Sequence, residues 1–131
     1  ALAPSMIERK SGSIIALGGH SALSAPGPYR AAMAASKHGA HGLVKALAQA
    51  FGPYGIRANL LCLAHIENVR ENPEWYPHSG GVDDEDAKVR ITPLARLGHP
   101  DEVAHTAVFL ACDESSYVTG DRICCNGGSH M

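Results

Sequence analysis

The sequence predicts an α/β protein with a doubly wound parallel sheet, and two observations lead to this prediction. Three short apolar runs alternate along the chain with helical segments. Apolar runs without polar alternation are typical of strands that are covered on both faces, and strands that alternate with helices pair in parallel through right-handed crossovers. At 131 residues, of which 45% are hydrophobic, the chain is long enough for one domain with its own core.

The first half of the predicted fold contains two strands and a long helix. Residues 1–10 read as the end of a helix, and the glycine-bounded apolar run after them predicts a buried strand over 13–17. Pro28 suits the first turn of a helix, because its missing N–H is not needed there, and we expect that helix over 28–51. Its apolar residues at helical spacing are predicted to face the core: Leu43, Val44, Leu47 and Phe51. The run from 56 to 64 predicts a second buried strand.

The second half contains a long loop, a helix and a last strand. Residues 64–92 mix prolines, aromatic residues and an acidic run without periodicity, which is typical of a binding loop, and we expect a short helix near the acidic end. Pro100 opens the next helix, and Asp101 and Glu102 favour its positive end. Its predicted buried stripe is Val103, Ala107, Leu110 and Ala111. A turn at 118–120 leads to a third strand over 121–125.

Composition and charge exclude several classes of function. A formal net charge of -2 with mixed signs argues against nucleic acid, since phosphate binding requires clustered Lys and Arg. No window approaches about 18 uninterrupted apolar residues, so we expect no membrane span, no signal peptide and a cytoplasmic location. His38 and His41 share one helix face, but the spacing suggests no third ligand, and we therefore expect no metal site.

Four cysteines occur in the chain: Cys62, Cys112, Cys124 and Cys125. They lack the CxxC spacing of redox and zinc motifs. Neighbouring residues of a strand point to opposite sheet faces, so Cys124 and Cys125 make a poor disulfide pair. We expect reduced, buried thiols.

The sequence also allows predictions about the two ends of the chain. Ala1 lies within what reads as a helix, so we expect further sequence before it, and a segment of that sequence or another chain should cover the free edge of the strand at 13–17. The last strand continues naturally into Asn126-Gly127-Gly128, so we interpret the final residues as native.

The most informative motif lies in the long helix, where Lys37 follows Met33 by four residues. Several segments of the chain resemble, in the right order, the C-terminal half of the short-chain dehydrogenase/reductase family: GSIIALGG, AASKHGAHGLVKALAQAFGPYGIRAN, PLARLGHPDEVAHTAVFLACDESSYVTGD and NGG. The resemblance implies the C-terminal portion of a single Rossmann-like domain across residues 1–131, with a substrate-loop region at 64–92. It also implies an oxidoreductase that uses NAD or NADP.

The resemblance assigns roles to the two residues of this motif. In the family, a tyrosine four residues before a lysine exchanges the proton when a hydride moves between an alcohol and a carbonyl. A spacing of four puts both side chains on one helix face, and the lysine cation lowers the pKa of the phenol. Lys37 matches the lysine, which in the family also binds the nicotinamide ribose. Met33 stands at the tyrosine position, and a thioether has no proton to give.

Further departures from the family pattern fall at functional positions. Strand alignment puts Gly19 at the position of the catalytic serine, whereas counting back from Met33 favours His20 or Ser21. Only the last two have side chains that polarise a carbonyl. Tyr29 lies one turn beyond Met33, so His20 at the mouth of the site is better placed to replace the missing acid, since an imidazole has an unperturbed pKa near neutral.

On the cofactor side, Leu63 and Ala64 replace a Pro-Gly pair beside the nicotinamide. Asn68 replaces a threonine that binds the carboxamide, a hydrogen bond that an asparagine side chain can also make. The resemblance therefore implies cofactor contacts from Lys37, Ala64, Ile66 and Asn68.

Two functions follow from this pattern. The first is an NAD(P)-dependent oxidoreductase that acts on a small carbonyl or alcohol and is impaired by the loss of its tyrosine. The second is a non-catalytic protein that keeps the fold for binding or assembly. In the family this helix pairs with its symmetry mate in a dimer, so the resemblance implies a homo-oligomer through the helix over 28–51, whose small residues permit that close contact. The family's glycine-rich pyrophosphate loop lies upstream of Ala1, so we expect the isolated 131 residues to be inactive.

Overall fold

The computed structural model describes residues 3–19, 22, 31–67 and 85–129, and these form a parallel sheet with flanking helices. Its elements, in chain order, are α1 (Ala3–Glu8), β1 (Gly12–Leu17), α2 (Ala31–Phe51), β2 (Ile56–Leu63), α3 (Glu85–Arg90), α4 (Pro100–Ala111) and β3 (Arg122–Cys125). The predicted order of strands and helices is confirmed, including the short helix at the acidic end of the long loop. Residues 28–30 of the predicted long helix lie outside the described residues.

The three strands form one sheet in the order β1-β2-β3, and both pairings are parallel. Gly12 pairs with Ile56, and the register continues to the pair Leu17 and Leu61. β1 is half-buried and Leu17 is exposed, so the prediction of a fully buried first strand is wrong. The reason is that β1 is an edge strand of the described sheet. That another segment covers this edge stays a prediction.

One face of the sheet packs against α2. Its core contains buried residues from β2 and α2 together with Ala22: Ala22, Val44, Ala58, Leu60 and Cys62. Leu47 packs against this cluster from the next turn of the helix. Leu43 is 59% exposed, so its predicted place in the core is wrong. A helix advances about 100° per residue, which turns Leu43 away from the sheet-facing line through Val44 and Leu47.

The other face of the sheet packs against α4. Leu110 is fully buried there, and its carbonyl oxygen accepts a hydrogen bond from Ser13 Oγ at 2.7 Å. Arg57 Nη2 donates to the carbonyl oxygen of Cys112, just after the helix, at 3.1 Å. Ala111 is exposed, which corrects its predicted burial, because it lies at the end of the helix and turns away from the strands.

Buried polar groups fix the turn that leads into β3. Asn59 is fully buried; its Nδ2 donates to the carbonyl oxygen of Val118 at 2.7 Å, and its Oδ1 accepts from the backbone N–H of Asp121 at 3.3 Å. The backbone N–H of Ala58 donates to Thr119 Oγ1 at 3.0 Å. The predicted turn at 118–120 is thereby held against the middle of β2.

The cysteines are free thiols, as predicted, but their burial differs from the prediction. Cys62 is fully buried in the α2 face of the sheet, whereas Cys124 is exposed and Cys112 and Cys125 are half-buried. Cys124 is exposed because it lies on the edge strand β3. Among the described residues, no helix is long and apolar enough to span a membrane.

Candidate active site at the carboxyl edge of the sheet

The carboxyl ends of the three strands lie along one edge of the sheet, because both pairings are parallel. β1 ends at Leu17, β2 at Leu63 and β3 at Cys125. Ligands of open α/β sheets bind in the crevice outside this edge. The residues that follow β1 and β2, together with the first turns of α2, are therefore the candidate site.

Lys37 is held at this edge by the helix that covers the sheet. The sheet-facing line of α2 runs at helical spacing of three and four through Met33, Lys37, Ala40, Val44 and Leu47. Its lower part packs on β2, and its upper part reaches the end of the strands. There Lys37 Nζ donates to the carbonyl oxygen of Leu17, the last residue of β1, at 3.3 Å. The ammonium thus lies where β1 opens into the site.

Met33 precedes Lys37 by one helical turn on the same line. Its side chain is 46% exposed, and it is a weak acceptor that carries no exchangeable proton. The helix therefore presents a cation and a thioether toward the edge of the sheet. Proton transfer at this point requires a group other than the residue at position 33.

The backbone that follows β1 passes close to β2. The N–H of Gly18 donates to the carbonyl oxygen of Leu61 at 2.8 Å, and a Cβ on Gly18 would lie only 3.1 Å from Cys62 Sγ. A side chain at position 18 would therefore force the neighbouring side chains of β2 to shift by a few tenths of an ångström. Gly19 is described and offers no side chain, while His20 and Ser21 lie outside the described residues. Which residue acts in place of the catalytic serine stays a prediction.

The residues after β2 are fixed to the loop before α4. Ile66 forms a parallel bridge with Gly98, the N–H of Glu67 donates to the Gly98 carbonyl at 2.8 Å, and the N–H of Gly98 donates to the His65 carbonyl at 2.9 Å. Ala64 and Ile66 are half-buried beside this connection. Asn68, the third predicted cofactor contact after β2, lies outside the described residues, as do positions 69–84 of the substrate-loop region.

A cavity of about 390 Å³, which the sequence did not reveal, opens beside this connection. Thr92, which lines this cavity, contacts residues from distant parts of the chain. Its Oγ1 lies 3.3 Å from His65 Nδ1 and 3.2 Å from Ser129 Oγ. The same hydroxyl donates to the carbonyl oxygen of Lys88 at 2.8 Å. Gly127 allows this closeness, since it has a positive φ of 59° and a Cβ there would lie 2.7 Å from Thr92. The sequence carried no signal for this contact, because Thr92 and Gly127 are far apart in the chain.

An ion pair closes one side of the cavity. Nη2 and Nη1 of Arg96 donate to the Glu102 carboxylate, at 2.6 and 2.7 Å, and Glu102 also accepts from the backbone N–H of His99 at 2.7 Å. The hydrogen bonds from Arg96, followed by that from His99, lower the pKa of Glu102 to about 2. His99 in turn accepts from the N–H of Asp101 and caps α4. The predicted start of this helix is therefore built on a reciprocal capping box.

The two histidines of α2 have different surroundings. His38 Nδ1 lies 2.9 Å from the carbonyl oxygen of Ala34, one turn earlier. Burial lowers the pKa of His41, and the charge of Lys45 lowers it further. The Nε2 atom of His41 is buried and has no hydrogen-bond partner in the part of the chain that the structure describes. Within that part, no three His, Cys, Asp or Glu side chains are grouped so that they could hold a metal ion.

Comparison with known proteins gives a consistent result. The family described as enoyl-(acyl carrier protein) reductase matches the chain over residues 1–130. The oxidoreductase UcpA of Salmonella typhimurium is 35% identical over 135 residues, which cover 100% of this chain and 51% of that protein. The chain thus spans about half the length of the curated relatives it matches.

Solved structures are similar to this chain in both sequence and fold. A 3-oxoacyl-[acyl-carrier protein] reductase from Brucella melitensis with bound NAD superimposes with a TM-score of 0.81 at 34% identity, covering 99% of this chain and 45% of that one. A gluconate 5-dehydrogenase from Burkholderia cenocepacia in complex with NADP and tartrate superimposes with a TM-score of 0.82 at 31% identity. The match covers 97% of this chain and 48% of that one.

Proposed function

Since the chain belongs to the short-chain dehydrogenase/reductase family, we propose that it is part of an NAD(P)-dependent oxidoreductase acting on a carbonyl and alcohol pair, impaired at its proton-transfer step. The observation that carries this proposal is the pairing of Lys37, whose Nζ donates to the carbonyl of Leu17 at the end of β1, with Met33 one turn earlier. The cation of the family's catalytic pair is kept, and its proton donor is absent.

The described residues at this edge fit a nicotinamide nucleotide. An ammonium group has three N–H donors, and the bond to Leu17 uses one of them, so the others are available to ribose hydroxyls. Gly19 and Ala64, which flank the opening after β1 and β2, add almost no bulk. When bound, the nucleotide supplies or accepts the hydride. Lys37, Ala64, Ile66 and Asn68 are the residues that would hold its nicotinamide end.

The residues of this chain then have to orient the substrate and exchange its proton. Lys37 stabilises negative charge that develops on a nearby oxygen. With Met33 at the tyrosine position, however, that position offers no phenol beside this ammonium to exchange a proton with the substrate. His20 or Ser21, which follow Gly19, are our candidates for polarising the carbonyl, and His20 or a water is our candidate for the acid. Loss of a positioned general acid typically costs about 100- to 10,000-fold in rate.

Restoring the missing phenol tests this proposal. In the full-length polypeptide we expect Met33→Tyr to raise kcat on a ketone panel by about 100- to 10,000-fold, with NADH or NADPH consumption followed by absorbance. Met33→Phe is the matched control, because it supplies the same ring without the hydroxyl, and it should leave turnover unchanged. Equal rates for the two variants would refute the assignment of position 33.

A second candidate function is a non-catalytic role in binding or assembly. The observation that favours it is that Met33, Gly19 and Ala64 give the site no acid of their own. Titration of the full-length polypeptide with NADH and NADPH by fluorescence separates the two functions when it is combined with the ketone panel. Nucleotide binding without turnover in Met33→Tyr supports the non-catalytic role, whereas turnover in that variant supports the first function.

The assembly we propose is a homo-oligomer through α2. Outside its sheet-facing line this helix presents small residues, and a Cβ on Gly39 or Gly42 would meet nothing within 4 Å among the described atoms. Leu43, which follows Gly42, is 59% exposed. Small side chains let a second helix approach closely, and that contact would bury the exposed leucine. Leu43→Glu should therefore lower the molar mass measured by light scattering, while Ala50→Glu, an exposed change at the end of the helix, should lower it less.

A further inference from the structure

Two thiols face each other across the sheet. Cys62 of β2 and Cys124 of β3 are direct partners in the parallel register, so their side chains project from the same face. Cys125, although next to Cys124 in sequence, pairs with Leu63 and projects from the opposite face. The geometry therefore selects one pair among the cysteines of the two strands.

The spacing of this pair is compatible with a covalent bond. Neighbouring strands lie about 4.7–4.9 Å apart, which is within the span of about 4.4–6.8 Å between the Cα atoms of a disulfide. Cross-strand Cβ atoms at a similar separation exceed the usual Cβ spacing of a disulfide by a few tenths of an ångström. A bond formed here is consequently of the kind that thiols reduce readily.

The two thiols differ in access to solvent. Cys62 is fully buried, whereas Cys124 is exposed on the edge strand. Burial also raises the pKa of the Cys62 thiol, and the thiolate is the reactive form. An oxidant from solvent therefore meets Cys124 first, and Cys62, its partner in the strand register, is the resolving thiol.

We propose that Cys62 and Cys124 form a redox site that reacts with hydroperoxides and closes to an intrachain disulfide. In the first step, the Cys124 sulfur bonds to the terminal peroxide oxygen as the O–O bond breaks, which gives a sulfenic acid and an alcohol or water. In the second, the Cys62 sulfur attacks the Cys124 sulfur; the S–S bond forms, the S–O bond breaks, and the hydroxyl leaves as water with the thiol proton. Two thiols are oxidised by two electrons and one hydroperoxide is reduced.

The redox site touches the end of β1. Cys62 Sγ lies beside Gly18, where an added Cβ would come within 3.1 Å of it. Formation of the disulfide turns this sulfur toward β3 and away from Gly18, so oxidation acts on the same edge of the sheet as the candidate active site.

Peptide mapping tests the site independently of any enzymatic activity. Trypsin cleavage after Arg57, Arg70 and Arg122 places Cys62 in the peptide 58–70 and both Cys124 and Cys125 in the peptide from 123 onward. Cys125→Ser is therefore the working background, because it leaves one cysteine in the second peptide. After brief treatment of the full-length polypeptide with hydrogen peroxide and alkylation of the remaining thiols, we expect mass spectrometry to find the two peptides linked, and dithiothreitol to separate them.

Two variants distinguish the proposed order of steps. In Cys62→Ser on the same background, the sulfenic acid on Cys124 has no resolving partner, and dimedone should label it. In Cys124→Ser, a change at an exposed position that spares the core, Cys62 should stay unreactive to peroxide in the folded protein. Dimedone labelling of Cys124 in the background protein without a linked peptide would overturn the proposal, and so would a dominant link to Cys112 or between two chains.

Discussion

The two halves of α2 share one line of side chains but have different roles. From Ala40 to Leu47 the sheet-facing line is apolar and packs against β2. From Met33 to Lys37 the same line extends past the strands and ends in an ammonium bonded to the last carbonyl of β1. The lower half of α2 thus packs against the sheet, and the upper half places a charged side chain at the edge where we propose the site.

The largest effect on stability should come from the core that lies beneath the lower half of α2. Leu60 is fully buried in the cluster beneath α2, and Leu60→Ala should lower the free energy of unfolding by about 2–5 kcal/mol through lost burial and a cavity. Leu94→Ala is the matched control, since the same side chain is deleted at a position that is 63% exposed, and it should cost less than about 0.5 kcal/mol. Urea unfolding measures both. Similar losses in the two variants would contradict the burial of Leu60 beneath α2.

A smaller effect is expected where α2 ends. Gly55 has a φ of 72° and terminates the turn after the helix, and a Cβ there would collide with the carbonyl oxygen of Lys10. Gly55→Ala should therefore destabilise the protein by about 1–3 kcal/mol. Gly39→Ala, inside the helix with open space around it, should have the opposite sign and stabilise by up to about 1 kcal/mol. Thermal unfolding of both variants checks the contrast, which would fail if Gly55→Ala were neutral.

His41, midway along α2, provides a pH test of the packing. Because burial lowers its pKa in the folded state below 6.5, the unfolded chain binds more protons as the pH falls through this value. Its contribution to stability should therefore be complete above about pH 6.5 and decline below it. His41→Gln should remove this decline from urea midpoints measured between pH 7 and 5, whereas His38→Gln should leave it in place. An unchanged profile in His41→Gln would show that the imidazole is not the cause.

The smallest effect should come from the ion pair at the rim of the cavity. The pKa of Glu102 falls from 4.5 to about 2 in the fold, so its stabilising contribution is present above about pH 4.5 and is lost as the pH falls toward 2. Solvent screening keeps this contribution small, since both partners are exposed. Glu102→Gln should flatten the acid limb of the stability profile slightly, and Asp101→Asn should flatten it less. Identical acid limbs for Glu102→Gln and the unmodified protein would contradict the role of Arg96.

Local sequence signals predicted most of the fold, and the misses have physical reasons. Apolar runs and helix starts predicted all three strands and the helices that cover both faces of the sheet, because burial and capping act over a few residues. Leu43 and Ala111 were assigned to the core wrongly, since composition alone does not fix how a helix is rotated against a sheet. Cys124 was predicted to be buried, and its exposure follows from lying on an edge strand.

The candidate site was less accessible to sequence reasoning. The Met33 and Lys37 motif could be found because its two residues lie one turn apart. The cavity around Thr92 could not, because His65, Thr92 and Ser129 meet only in the folded chain. The same holds for the thiol pair, in which Cys62 and Cys124 are 62 residues apart in the sequence and adjacent in the sheet. Contacts of this kind depend on strand register, which the sequence did not specify.

The central claim is that the ammonium of Lys37 faces a nicotinamide nucleotide at the carboxyl edge of the sheet. Its most direct test is the affinity of the full-length polypeptide for NADH and NADPH in two variants, Lys37→Met and Lys45→Met, which delete the same charge two turns apart on α2. Loss of a charge-assisted hydrogen bond of about 1.5–3 kcal/mol predicts a dissociation constant raised about 10- to 150-fold in Lys37→Met and nearly unchanged in Lys45→Met. Equal affinities in the two variants would contradict the claim.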